Sequence, residues 1–182
     1  NGEPYILFLS RIHTKKGVDL LLNAYLKIKA ENHLTIPRLV IAGPINSIYT
    51  NELMSSVKGR DDIIFTDMLQ GKAKWGAMYL CEAFILPSHQ ENFGIAVAEA
   101  LACGKPVLIT NKVNIYKEIL DADSGLVYED TEMGIEMMLL EWFQLDHTKK
   151  KEMSDNATQV YLDKFSIENS VKETVYQLEK NN

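Results

Sequence analysis

No apolar run in the chain approaches the ~18 residues needed to cross a bilayer, and no basic-then-apolar leader opens it. Glycine and proline are scarce, at ten and five in 182 residues, which excludes collagen-like and low-complexity chains. Cysteine is scarcer still. Cys81 and Cys103 both sit among apolar residues, with neither a disulfide framework nor zinc-ligand spacing, so a reduced, cytoplasmic setting is expected. No Gly-x-Gly-x-x-Gly follows the first apolar run, so the dinucleotide fingerprint is absent. No Gly-Lys-Ser/Thr occurs either, which excludes a P-loop. The first residue is Asn1 rather than Met, suggesting a piece of a longer protein, so a missing address says little.

What is present is an ordinary globular composition, 46% apolar and 24% charged, at a length that favours one domain. The net charge of −6 is unevenly distributed. Residues 1–38 carry six Lys/Arg against three acids, and the other 144 residues carry thirteen against twenty-two. The tightest basic cluster, Arg11 to Lys16, is small and local. It suits one small anionic ligand and not a nucleic-acid polymer, which needs basic charge over a whole face.

Short apolar runs alternate with helical periodicity. Strands are predicted at Tyr5–Leu9, Leu39–Ala42, Ile63–Phe65, Ala83–Leu86, Pro106–Ile109 and Gly125–Tyr128. Helices are predicted at about 16–31, 50–58, 72–81, 94–102 and 116–120, with a helical pattern from Asp130 to the end. Met133, Met137 and Met138 read as helix core. Uniformly apolar strands between helices indicate βαβ units and a parallel sheet covered on both faces. Six of them predict an α/β, Rossmann-like doubly wound domain, whose ligands bind beyond the carboxyl ends of the strands.

The loops at those ends begin near residues 10, 43, 67, 87, 110 and 129. The first reads Ser10-Arg-Ile-His-Thr-Lys-Lys-Gly17, with Lys16 expected where the next helix begins. Cations at a helix start oppose its dipole, unless they join the helix amides in holding an anion. The fourth loop carries Glu91 in a turn and Glu99 inside the following helix. Gly94 and Glu99 are separated by about 7.5 Å of axial rise, the order of the distance between the two sugars of a nucleotide sugar. Glu91 and Glu99 are thus placed to accept from hydroxyls on either side of a diphosphate, with the amides of Asn92, Phe93 and Gly94 between. Glu99 lies among Ile95, Val97, Ala98 and Leu101, and a carboxylate there needs a partner. A glycosidase acid/base pair is the rival reading of the two glutamates. The basic cluster and the topology argue against it. Asp121-Ala-Asp123 has the form of a metal-binding D-x-D, but falls at the amino end of the sheet and reads as exposed loop. His13, His33, His89 and His147 lack metal-ligand spacing, although His89 adjoins the fourth loop.

Ser10-Arg11 with Lys16-Gly17, together with E-N-F-G-I-x-x-x-E-A-L-A-x-G-x-P-V from Glu91 to Val107, resembles glycosyltransferase family 4. Those are retaining enzymes of the two-domain GT-B architecture, and the resemblance covers nearly the whole chain as the C-terminal, donor-binding half. It implies that Arg11 and Lys16 bind the donor diphosphate, that Glu91 meets the transferred sugar, and that Glu99 meets the ribose. It places base contacts at Met68 and Leu69, after Asp67, which stands where the family usually has Gly. The implied donor is a UDP- or GDP-linked hexose, with no cofactor and no metal. The implied reaction is front-face transfer, with retention, to a saccharide or lipid-linked acceptor. The leaving phosphate would help deprotonate that acceptor, while Arg11, Lys16 and the helix amides stabilise it. A non-catalytic nucleotide-sugar module and a GT-B-type epimerase or phosphorylase are the alternatives.

The expected division is a nucleotide-sugar-binding domain over 1–165 and a helix over 166–182 that would cross to a missing N-terminal domain. Ser166 is its expected N-cap, and Ile167, Val171, Val175 and Leu178 form its apolar stripe. Without that second domain the fragment is expected to bind donor weakly and transfer no sugar. The intact enzyme is expected in the cytoplasm, peripherally associated with the inner face of a membrane.

Overall fold

Residues 2–31, 35–166 and 169 are described by the computed structural model. Apolar runs of four or five residues are too short for helices and become strands: β1 (Tyr5–Leu9), β2 (Arg38–Ala42), β3 (Ile63–Thr66), β4 (Ala83–Leu86), β5 (Val107–Thr110) and β6 (Gly125–Tyr128). Each β1–β2 pair from Tyr5↔Arg38 to Leu9↔Ala42 is in parallel register, and β1 pairs on its other side with β4 through Ile6↔Ala83 and Leu7↔Phe84. The complete order is β3-β2-β1-β4-β5-β6, all parallel. This is the doubly wound order with its switch point between β1 and β4. Every residue of β4 and β5 is buried, as strands covered on both faces must be.

The helices are α1 (Val18–Glu31), α2 (Ile48–Ser56), α3 (Gly71–Leu80), α4 (Ile95–Ala102), α5 (Tyr116–Asp121), α6 (Glu132–Gln144) and α7 (His147–Val160). Crossovers of this type are right-handed, which places α1 and α2 on one face and α3, α4 and α5 on the other. α6 returns to pack on α1, and α7 packs on α4 and α5. α1 buries Val18, Leu21, Leu22, Ala24, Tyr25 and Ile28, a stripe of helical period. Tyr25 is fully buried, and its hydroxyl donates to the Pro37 carbonyl at 2.9 Å, so the polar tip is satisfied. Cys81 is buried and its thiol is pushed up to about 12 by desolvation, which keeps it protonated and unreactive.

Four details differ from the sequence expectations. The helical tail is broken at Leu145, because Asp146 caps α7 by accepting from the Lys149 amide at 2.8 Å. Of the three methionines expected in the core of α6, only Met138 is buried; Met133 and Met137 share the opposite, exposed face. α1 begins at Val18 and not at Lys16. Residues Thr14–Lys16 form a separate 3-10 turn, capped by His13 and ended by Gly17. Beyond α7 a π-turn spans Tyr161–Phe165, and the Asn169 amide donates to Ser166 Oγ at 3.3 Å, as an N-cap requires. The rest of the expected 166–182 helix, with its apolar stripe, lies outside the described residues, as does His33. No helix among the described residues is long and apolar enough to cross a membrane.

Candidate functional site

The carboxyl ends of β1 and β4 open into one cleft of about 690 Å³ at the switch point. The two loops that frame it are tied together by their backbones. The Lys15 carbonyl accepts from the His89 amide and from Ser88 Oγ, each at 2.9 Å. Thr110 Oγ1, at the end of β5, donates to the Ser88 carbonyl. The turn carrying Glu91 is held to the loop after β5: its amide donates to Lys112 O at 3.0 Å, and its carbonyl accepts from the Asn114 amide at 3.1 Å. The sheet and three loops therefore fix the turn, through backbone bonds and the hydroxyls of Ser88 and Thr110.

Arg11, Lys16, Glu91, Asn92, Phe93, Gly94, Glu99 and Met68 all line this cleft. The separation of Lys16 from α1 changes its electrostatics. As the last residue of a 3-10 turn it lies at the negative end of that element, where a cation is favoured. Lys16 Nζ forms an ion pair with Glu91, both side chains about one fifth accessible or less. Arg11 is exposed and has no ion-pair partner among the described residues. α4 starts at Ile95, one residue later than expected, with Gly94 as its N-cap. The amides at its first turn therefore face the cleft from Ile95 and Ala96, both cleft residues, as well as from the turn before them. Phe93 is half exposed and meets Phe165 edge to face, with ring centroids 5.8 Å apart.

Leu69 is the exception among the expected ligands. It is half-buried against the core and does not line the cleft, whereas Met68 beside it is 50% exposed and does. The Asp67 carboxylate accepts from the Met68 amide at 2.7 Å and shapes that loop. Asp67 does not take a positive φ, so the glycine usual at this position is not required by the backbone here. The partner that Glu99 needs is Lys74 of α3, whose Nζ lies 2.5 Å from Oε1. No sequence pattern announced it. His89 Nδ1 sits 3.1 Å from Asp130 and takes no part in the cleft lining. Asp123 pairs with Lys149 at 2.5 Å, and no group of three metal-ligating side chains occurs among the described residues. A second cavity of about 560 Å³, between α5 and α7, is lined by Glu118, Asp121 and Asp163 with Lys117 and Lys164. Its charges are mixed and no strand end opens into it.

The family model for glycosyl transferases group 1 matches residues 1–160. The chain belongs to this family. An uncharacterized glycosyltransferase of Methanocaldococcus jannaschii is 28% identical over 181 residues, covering 96% of this chain and 44% of that protein. The crystal structure of a glycosyltransferase from Rickettsia africae superposes with a TM-score of 0.81 at 20% identity, covering 99% of this chain and 48% of the other. A C-terminal domain of a glycosyl transferase group 1 family protein from Francisella tularensis, solved on its own, has a TM-score of 0.74 at 23% identity. There the match covers 91% of this chain and 88% of the other. This chain thus spans less than half of the first two relatives and nearly all of an isolated C-terminal domain.

Proposed function

We propose that the chain binds the donor of a retaining, metal-independent hexosyl transfer, a UDP- or GDP-linked sugar. Catalysis is completed by an N-terminal GT-B domain that brings a saccharide or lipid-linked acceptor. The observation that carries this reading is the convergence on one cleft of Arg11, Lys16 and the first turn of α4, between Glu91 and Glu99. Breaking a sugar–phosphate bond leaves a diphosphate of growing negative charge. Fixed cations and oriented amides stabilise such charge without rearranging as it develops. Glu91 holds Lys16 in the free chain and exchanges that partner for sugar hydroxyls as the diphosphate takes the ammonium. No cofactor enters this scheme, and the intact enzyme works from the cytoplasm at the inner face of a membrane.

The two glutamates separate by ligand. Glu99→Ala should weaken free nucleotide and sugar donor alike, by about 1.5–3 kcal/mol for one lost hydrogen bond to a charged acceptor. Glu91→Ala should weaken the sugar donor but spare or tighten free UDP or GDP, because Lys16 is released for the diphosphate. Calorimetric titration of both variants with nucleotide and nucleotide sugar decides it, and identical profiles would refute the division. A chelator should leave donor affinity unchanged in the same titration; a strong Mg²⁺ or Mn²⁺ requirement would count against fixed cations as the stabilising groups.

A further inference from the structure

Lys74 has no place in the scheme so far, yet it is held on two sides inside the cleft. Its Nζ lies 2.5 Å from Glu99 Oε1 and 4.9 Å from the centroid of the Trp75 ring. Lys74 and Glu99 have side chains only 22% and 23% accessible, so neither is a freely solvated surface group. The two come from different helices, α3 and α4, that meet at this wall. Glu99 Oε2 has no hydrogen-bond partner among the described residues. Without Lys74 the cleft would carry two cations against two carboxylates; with it, three against two.

We propose that Lys74 is a positioning residue for ribose recognition: by occupying Oε1 of Glu99 it fixes the carboxylate and presents Oε2 alone to the ribose hydroxyls. The proposal rests on the reading of Glu99 as a ribose ligand. A glutamate has three rotatable bonds, and one in a wide cleft loses rotamer freedom when it binds. Lys74 and the aromatic face beneath it take up that cost in the free chain. The ion pair also lowers the repulsion between Glu99 and a neighbouring diphosphate. The result is selectivity for a ribose over a deoxyribose nucleotide that depends on a residue which does not itself touch the sugar.

The test compares the chain with its Lys74→Met, Lys74→Arg and Glu99→Gln variants. Each is titrated with UDP and GDP and with their 2′-deoxy and 3′-deoxy forms, and thermal melts check folding. Lys74→Met should shrink the ribo-over-deoxy affinity ratio by about tenfold, the scale of one charge-assisted hydrogen bond. Lys74→Arg should largely restore it. An unchanged ratio in Lys74→Met, or equal weakening of ribo and deoxy forms, overturns the role of Lys74. If Glu99→Gln leaves the ratio unchanged, the ribose assignment of Glu99 falls, and the role of Lys74 with it. Absence of nucleotide binding by the unaltered chain overturns the functional reading itself.

Discussion

Arg11→Ala and Lys16→Ala should each weaken UDP or GDP binding by ~1.5–3 kcal/mol, the scale of a charge-assisted hydrogen bond, and should barely change binding of the nucleoside. The structure separates the two losses. Arg11 is exposed and has no ion-pair partner among the described residues, so its interaction with a phosphate displaces water and no other anion. Lys16 already holds Glu91, so it exchanges one anion for another, which reduces what binding gains. Its removal has a second cost, because it leaves the Glu91 carboxylate uncompensated beside the diphosphate. Adding Glu91→Ala to Lys16→Ala should therefore recover part of the loss, a coupling that no Arg11 double variant shows. Both losses should fall as salt rises, since the groups are at least partly exposed. Titration of nucleoside and nucleotide at two ionic strengths measures all of this. Equal losses for nucleoside and nucleotide would falsify the assignment of these cations to the diphosphate.

A larger structural effect is expected at Gly17. Its φ of +65° is a left-handed conformation, and a Cβ there would lie 2.0 Å from the Pro87 carbonyl oxygen. The obstacle is backbone, so it cannot swing aside as a flexible side chain would. Gly17→Ala combines a conformational cost of about 1–2 kcal/mol with an overpacking cost of about 1–3 kcal/mol. The melting temperature should fall by on the order of 10 °C. Because the clash forces the first loop away from the fourth, nucleotide affinity should fall as well. Gly59→Ala is the control. Gly59 also has a positive φ, of +85°, but a Cβ there meets nothing within 4 Å. It should show only the conformational part and leave binding untouched. Matching melts for the two variants would show that the contact with Pro87 matters little.

The strands were legible because each is a short apolar run; the switch point was not, because it is set by the spatial order β3-β2-β1-β4-β5-β6, which no single run encodes. Boundaries were less legible than the strands. The apolar period of α1 starts at Val18, but Lys15-Lys16-Gly17 looks like its charged first turn. The signal for a separate turn was available in His13 as a cap and in Gly17 as the residue after it, a pairing that ends a helix more readily than it begins one. The break before α7 was hidden because residues on both sides favour helix, and only the Asp146 cap marks it. Met133 and Met137, four residues apart, do share a helix face. Which face meets the sheet is set by Ile135, Met138, Leu139 and Trp142, and the methionines fall opposite.

The site itself divides in the same way. That Arg11, Lys16, Glu91 and Glu99 line one cleft was legible because they occupy loops, or the helix after a loop, that the topology brings to one edge. Lys74 was not. It reaches Glu99 across 25 residues, and only the folding of α3 and α4 to one wall of the cleft creates that contact. Met68 and Leu69 part company for a local reason: the Asp67 carboxylate accepts from the Met68 amide, and Met68 lines the cleft while Leu69 packs against the core.

The bonds from Ser88 and His89 to the carbonyl of Lys15 also bear on when the site comes into being. β1 and β4 are neighbours in the sheet but about seventy-seven residues apart in sequence, as the Ile6↔Ala83 pair shows. Loop-closure entropy makes such non-local pairing a late event relative to the local β1-α1-β2 and β4-α4-β5 units. Each unit can form with its own loop in place, yet neither holds both sides of the cleft. The His89 amide, which donates to Lys15 O, becomes protected from solvent exchange only once the two halves have joined. A ligand that spans the first and fourth loops thus binds no half-folded species, and its affinity adds in full to the stability of the assembled domain.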